Sequence, residues 1–283
     1  MQGQRVEGAT AFTKTAAWRA LAGIGIGLAG GTFGGLVGLG GGVLMIPMMT
    51  GLLHFTQHGA HGSSLLAVLF TAVSGGTEYA RRGSVDWLAA ASIALSAMVM
   101  ARLGARASHR VSGPKLRGYF GWFLVAVSLL LPVSRYLMAH VDSGVTLSRL
   151  SVALGGLAIG MVSGYLAGMM GVGGGAIVVP SLVVGLGFPQ HLAQGTSLVQ
   201  MIPTALSGTA THQRLGHIRW DVAPWAGIGA ILGGWAGSFV AGLLPSNTLR
   251  YVFAVFVLLM GVNYIRTSKA ALKASGGQRG TVT

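Results

Sequence analysis

Two glycine triplets, Gly40–Gly42 and Gly173–Gly175, each stand at the head of a short apolar stretch. A glycine turn that opens a helix leaves amide hydrogens without intrahelical partners. Those donors, together with the helix dipole, favour an anion. The next apolar stretch in each case begins with groups that can donate to an oxyanion: Ser63 and Ser64 after the first triplet, Gln194, Thr196 and Ser197 after the second. Ser63 and Thr196 also read as helix caps. His61 sits beside the first set, where a side chain that titrates near neutral pH could carry a coupled proton. Arg81, His212 and Arg214 close the same stretches. They are suited to guard the mouths of a site, or simply to mark a membrane boundary. This set suits reversible capture of a small anion.

The residues expected of an enzyme are missing. No acid lies within the long apolar runs to orient a histidine, and neither GxSxG nor HExxH occurs. There is no ATP-binding loop, so transport driven by ATP within this chain is excluded. GLGGG is not read as a dinucleotide loop, because its flanks are apolar segments and no acid occurs before Glu78 on its C-terminal side. Cysteine is absent, which excludes disulfides and thiolate metal sites. No cofactor is expected.

The elements that position these residues occur twice. A gapless shift of 133 positions carries GLGGGVLMIP, ending at Pro47, onto GVGGGAIVVP, ending at Pro180. The same shift carries Gly23, Gly27, Gly31 and Gly35 onto Gly156, Gly160, Gly164 and Gly168. It carries Ser64 onto Ser197, Arg81 onto Arg214, Gly83 onto Gly216 and Trp87 onto Trp220. Duplication in an apolar chain marks many secondary transporters.

Composition sets the solvent. Hydrophobic residues make up 52% of the chain and charged residues only 8%, against about 25% charged in a soluble domain. No Asp, Glu, Lys or Arg occurs from Ala20 to Thr77, or from Leu150 to Gln213. A helical span needs about 20 apolar residues, so each run holds two or three membrane segments. The apolar runs are continuous, which sets aside a barrel of alternating strands. The net charge of +14 resides between apolar segments, where it orients the protein and meets anionic lipid; nucleic-acid binding is not expected.

Glycine, proline and charge divide each half into five pieces: Ala20–Leu39, Val43–Phe55, Ser63–Tyr79, Trp87–Leu103 and Gly118–Ser134, then Val152–Val172, Ala176–Leu186, Thr196–Thr211, Val222–Leu243 and Tyr251–Ile265. The fold expected is an all-α polytopic membrane protein of two homologous halves. The regions are residues 1–19 (cytoplasmic), 20–140 (first repeat), 141–149 (linker), 150–266 (second repeat) and 267–283 (cytoplasmic tail). The second piece of each half is too short to cross an ~30 Å core, and three glycines disfavour continuous helix at ~1 kcal/mol each. A broken or re-entrant helix is predicted there. Lys and Arg place both termini and the Arg102–Arg117 loop in the cytoplasm. Five crossings per half make the repeats inverted; four would make them parallel. The glycine ladders predict close helix packing. Trp87 and Trp220 read as interfacial anchors, and Asp86 and Asp221 as partners of nearby arginines.

At GLVGLGGGVLMIP, GMMGVGGGAIVVPSLV and HLAQGTSLVQMIPTALSGTATHQRLGHIRW the chain resembles the sulfite exporter TauE/SafE family, over about Leu21 to Ile265. The resemblance implies a multi-pass carrier of the bacterial inner membrane. Its cargo would be sulfite, sulfoacetate or related sulfonates, and its energy source the proton gradient. Membrane lipids and a small anion are the partners expected, with self-association left open. Ser63-Ser64 stands where the second half has Thr196-Ser197, and Glu78-Tyr79 where it has Thr211-His212, so a symmetric site is in doubt. An anion channel of the same fold is the competing reading, then a membrane enzyme.

Overall fold

The computed structural model describes residues 2–107, 113–138, 148–170 and 174–277. Among them every regular element is helical. The first half contributes α1 (Gln2–Val37), α2 (Gly42–Leu52), α3 (Gln57–Arg81), α4 (Trp87–Ala107) and α5 (Gly113–Met138). The second contributes α6 (Arg149–Met170), α7 (Gly175–Pro180) continued by a π-helical turn (Ser181–Gly185), α8 (Gln190–Arg214), α9 (Ala223–Leu243) and α10 (Ser246–Gly277). The five-piece reading of each half holds, and the ends differ. Helix α1 starts at Gln2 instead of near Ala20, and α10 runs to Gly277 through residues read as a solvated tail. Helical propensity carries both ends past the apolar boundary that hydropathy marks. Among the described residues five helices are long and apolar enough to cross a membrane.

Helix breaks follow local chemistry. Gly38, Gly40 and Gly41 take positive φ of 76°, 71° and 82°, a region that other residues enter at a cost of about 1–2 kcal/mol. Gly83 and Gly216, mates under the repeat, end α3 and α8 with φ of 67° and 68°. Each amide donates three residues back, to the carbonyls of Ala80 and Gln213 respectively, at 3.0 Å.

The packing divides into two compact units, each drawing on both halves of the sequence. One comprises residues up to Gly83 with Leu198–Leu243; the other comprises Ser84–Ser197 with residues from Leu244 on.

In the first unit α1 and α9 run parallel in close contact. A methyl on Gly27 would overlap the Ala226 carbonyl, one on Gly31 would meet Ala230, and one on Gly35 the Gly234 carbonyl. From the other side Gly229, Gly233 and Gly237 face the carbonyls of Ile24, Leu28 and Thr32. Two small-residue ladders interlock, so that backbones touch where side chains would otherwise hold them apart. Helix α3 follows the same direction: Gly62 lies on His217 before α9, and Arg82 after α3 lies on Gly242 near the end of α9. Helix α2 doubles back along α1, because Gly41 meets the Gly30 carbonyl, seven residues before the end of α1. The turn is buried throughout. Ile26, Met45, Met49, Phe55, Ala60 and Ala226 fill the space between these helices.

The second unit repeats the device. Gly156 faces Ser92 and Ala89, Gly160 faces Ser96 and Ile93, and Gly164 faces Ala97, so α6 and α4 also run parallel. Each contact is the image, 133 positions away, of an α1–α9 contact. Helices α5 and α10 pack antiparallel: Gly118 faces Ser268, while Gly121 faces Gly261 and Ile265.

Candidate functional site

The first glycine turn opens α2 without a side-chain cap. The amides of Leu44 and Met45 both donate to the Gly41 carbonyl at 3.0 Å, so Gly42 and Val43 carry the first helix amides, which have no intrahelical acceptor. Around the turn space is tight. A methyl on Gly40 would meet Met201 Sδ and Val68 Cγ1 at 2.9 Å, and one on Gly42 would meet Val68 Cγ2 at 3.0 Å. In the second half Gly174 precedes α7 with φ −70° and ψ −15°, an ordinary helical conformation. The two turns therefore differ in backbone. Gly173 lies outside the described residues.

The polar residues behave differently from the capping expectation. Thr56, not Ser63, caps α3: its hydroxyl accepts from the Gly59 amide at 3.2 Å. Ser63 Oγ instead accepts the backbone N–H of Arg219 at 3.0 Å in the first unit. Thr196 Oγ1, six residues into α8, accepts the backbone N–H of Asp86 at 2.9 Å in the second. Both hydroxyls are fully buried, and each ties a helix to the loop before the fourth helix of the opposite half. Ser64 Oγ donates to the His61 carbonyl at 3.0 Å. Gln194 and Ser197 are buried on α8. Gln190, one and two helical turns before them, is buried with neither side-chain amide atom hydrogen-bonded. Arg81 and Arg214 are exposed, and His61 is half-buried.

One feature of unit one escaped sequence reasoning as a group. His58, His212 and His217 meet at the end where α3 begins and α8 finishes. The rings of His58 and His217 stack with centroids 5.1 Å apart, and the Nδ1 atoms of His212 and His217 are 3.3 Å apart. The His217 amide also donates to the His212 carbonyl at 2.9 Å. Beside them the Arg219 guanidinium covers the Phe55 ring at 4.8 Å. The only sequence signal was the spacing of His212 and His217 across the Gly216 turn.

Asp221 joins Arg219 at 3.2 Å and Arg19 at 2.8 Å. Burial alone would raise its pKa, but the Arg219 hydrogen bond and the two guanidinium charges outweigh it and hold the carboxyl below its ordinary range. Asp86 departs from its expected arginine pairing. Its Oδ1 accepts the Ala89 amide at 2.8 Å and so caps α4. It is Arg82, one place beyond Arg81, that pairs with Glu78 at 2.8 Å and lies over Phe239. Trp87 and Trp220 are exposed. Among the described residues no group of His, Asp or Glu is arranged to hold a metal ion. A cavity of about 430 Å³ in the second unit is lined by Phe123, Val127, Gly155, Ile159 and Leu186 among others; Ser181 is the one polar side chain in an otherwise apolar lining.

A family model described as sulfite exporter TauE/SafE matches residues 17–280. The chain belongs to the TauE/SafE family. Three relatives are each named a probable membrane transporter protein. That of Bacillus subtilis (strain 168), YunE, is 28% identical and covers 85% of this chain and 95% of its own. That of Xylella fastidiosa (strain 9a5c) is 30% identical, covering 85% and 92%. That of Haemophilus influenzae is 26% identical, covering 84% and 95%. No solved structure gives a significant match. As a TauE/SafE member with five helices, among the described residues, long and apolar enough to span a bilayer, the protein is a multi-pass membrane protein of a transporter family.

Proposed function

We propose that this protein is a secondary carrier of small sulfur-containing anions such as sulfite, sulfoacetate or related sulfonates. It works in the bacterial inner membrane by alternating access between two inverted repeats, coupled to protons. Gly40–Gly42 and Gly173–Gly175 supply backbone amides to the anion, and Ser63, Ser64, Gln194, Thr196 and Ser197 line its path. Arg81, Arg214, His61 and His212 gate the mouths and handle the proton.

The observation that carries this reading is the buried, uncapped turn at Gly38–Gly41 in a member of a transporter family. Irregular backbone at membrane depth persists only where protein covers it or a polar path meets it. A half-length helix follows: the 11 residues of α2 reach about 16 Å, roughly half of the hydrocarbon core. The inverted arrangement draws support from α5 and α10. They occupy the same place in their repeats, yet they pack antiparallel, as an axis lying in the membrane plane requires.

The test is flux. Purified protein in liposomes should take up ³⁵S-sulfite, saturate, and concentrate it when a pH gradient is imposed. Passive, non-saturating current would favour the channel instead. Absence of any sulfite flux or exchange would remove sulfite as cargo.

A further inference from the structure

We propose that His58, His212 and His217 form the proton-binding site of this carrier, a clasp that stays closed when one proton is added to the neutral pair and parts when a second is added. The proposal rests on the carrier reading above, and adds the site and stoichiometry of the coupling proton.

The geometry limits how many protons the closed clasp can hold. Nδ1 of His212 and Nδ1 of His217 lie 3.3 Å apart, so one must donate and the other accept. The neutral pair thus contains one ring protonated on Nδ1 and one on Nε2. A first added proton goes to the bare Nε2 of the donor ring. It leaves the hydrogen bond in place and strengthens it, because the donor is now a cation. A second added proton has only the accepting Nδ1 left to occupy. Two N–H groups then face each other on two cations, and the rings must separate. His58, stacked on His217 at 25° between ring planes, adds a third titratable face and raises the cost of a cation on its neighbour. One proton enters from one aqueous side and leaves to the other; no other bond is made or broken.

Parting of the clasp has somewhere to act. His217 sits in the loop from Leu215 to Val222, which α3 and α1 hold. The His217 carbonyl lies against Gly62 of α3. The Arg219 amide donates to Ser63 Oγ of α3. Asp221 reaches Arg19 of α1. The loop leads directly into α9. Around the rings the charged groups are Arg219, its guanidinium over Phe55 and paired with Asp221, and Arg19 on the same carboxylate. On the neighbouring segments of the chain stand His61 on α3, His54 before α3 and Arg214 in the last turn of α8. Asp221 offsets part of the positive field at this end.

Two readouts test this, one of them independent of cargo. Histidine-labelled ¹⁵N spectra of the whole protein in lipid nanodiscs should show His212 and His217 titrating in two separated steps. The His217→Asn variant, whose amide can stand in for Nδ1 but cannot be protonated, should collapse them to one; His212→Asn should do the same should His217→Asn fold poorly. Independent single-step titration of both rings in the wild type would overturn the clasp. In liposomes with the potential clamped, the wild type should concentrate ³⁵S-sulfite about tenfold per pH unit for one proton per anion. His217→Asn should retain sulfite counterflow and lose that accumulation. Accumulation equal to wild type would overturn the coupling role. A wild type with neither flux nor counterflow would refute the sulfite carrier, while the spectra still decide the proton site.

Discussion

Thr196 Oγ1 accepts the backbone N–H of Asp86 at 2.9 Å, and its image under the 133-residue repeat, Ser63 Oγ, accepts that of Arg219 at 3.0 Å. Neither pair is close in sequence, and the chemistry of acceptor and donor is kept in both copies although both residue types differ, Ser against Thr and Asp against Arg. A buried amide in a chain this apolar needs its acceptor. Removing one leaves a desolvated donor, at about 1–3 kcal/mol.

Ser63→Ala and Thr196→Val should therefore each lower thermal stability in detergent by that order. Thr196→Ser, which keeps the acceptor, should be close to wild type. Equal melting temperatures for all three would mean that the two hydroxyls do not hold their loops.

The glycine turn and the helix-ending glycines separate two effects. At Gly83 a methyl meets nothing within 4 Å, and only the φ of 67° resists substitution. Gly83→Ala should cost about 1–2 kcal/mol. At Gly41 the same strain is joined by overlap with the Gly30 carbonyl. Gly41→Ala should be markedly worse in unfolding temperature and should lose sulfite flux. The helical φ of Gly174 resists nothing by itself, so a Gly174→Val variant should insert normally, and its loss of flux would report on the site.

Helix contact is tested on α1. Gly27 abuts the Ala226 backbone, whereas Gly25 is exposed with open space beside it. Gly27→Leu should overpack the α1–α9 contact, costing about 1–3 kcal/mol or more, and should reduce the yield of monodisperse protein. Gly25→Ala should be neutral or mildly stabilising. Equal yields for the two would refute the ladder packing.

Acid should loosen the Arg19–Asp221–Arg219 cluster. The Asp221 carboxyl is held below its ordinary range, so the folded state binds its proton less readily than the unfolded chain. The contribution is present above the ordinary carboxylate pKa and fades as pH falls through the folded value. Its partners are substantially exposed, so screening keeps it small. The difference in melting temperature between wild type and Asp221→Asn should be positive at neutral pH, shrink below about pH 4, and diminish in high salt.

Much of the architecture was legible in the chain because it arises from local or periodic signals. Apolar runs longer than a bilayer, broken by glycine and charge, marked ten helical pieces, and α2 with its preceding break falls where Gly40–Gly42 put it. The four-residue glycine spacing announced close packing. Helix ends were less legible: α1 and α10 extend into polar sequence, where hydropathy stops but helix propensity does not.

What the sequence determined by itself was the duplication, the membrane solvent, the break before α2 and the family, since each depends on residue type and spacing alone. Only the tertiary structure decided which helices meet. A ladder such as Gly23–Gly35 presents a smooth face without naming its partner, and the partner proved to be the fourth helix of the other half. In the same way, no spacing rule joins Ser63 to Arg219 or His58 to His217, because these contacts depend on which backbones approach closely enough to bring distant loops together.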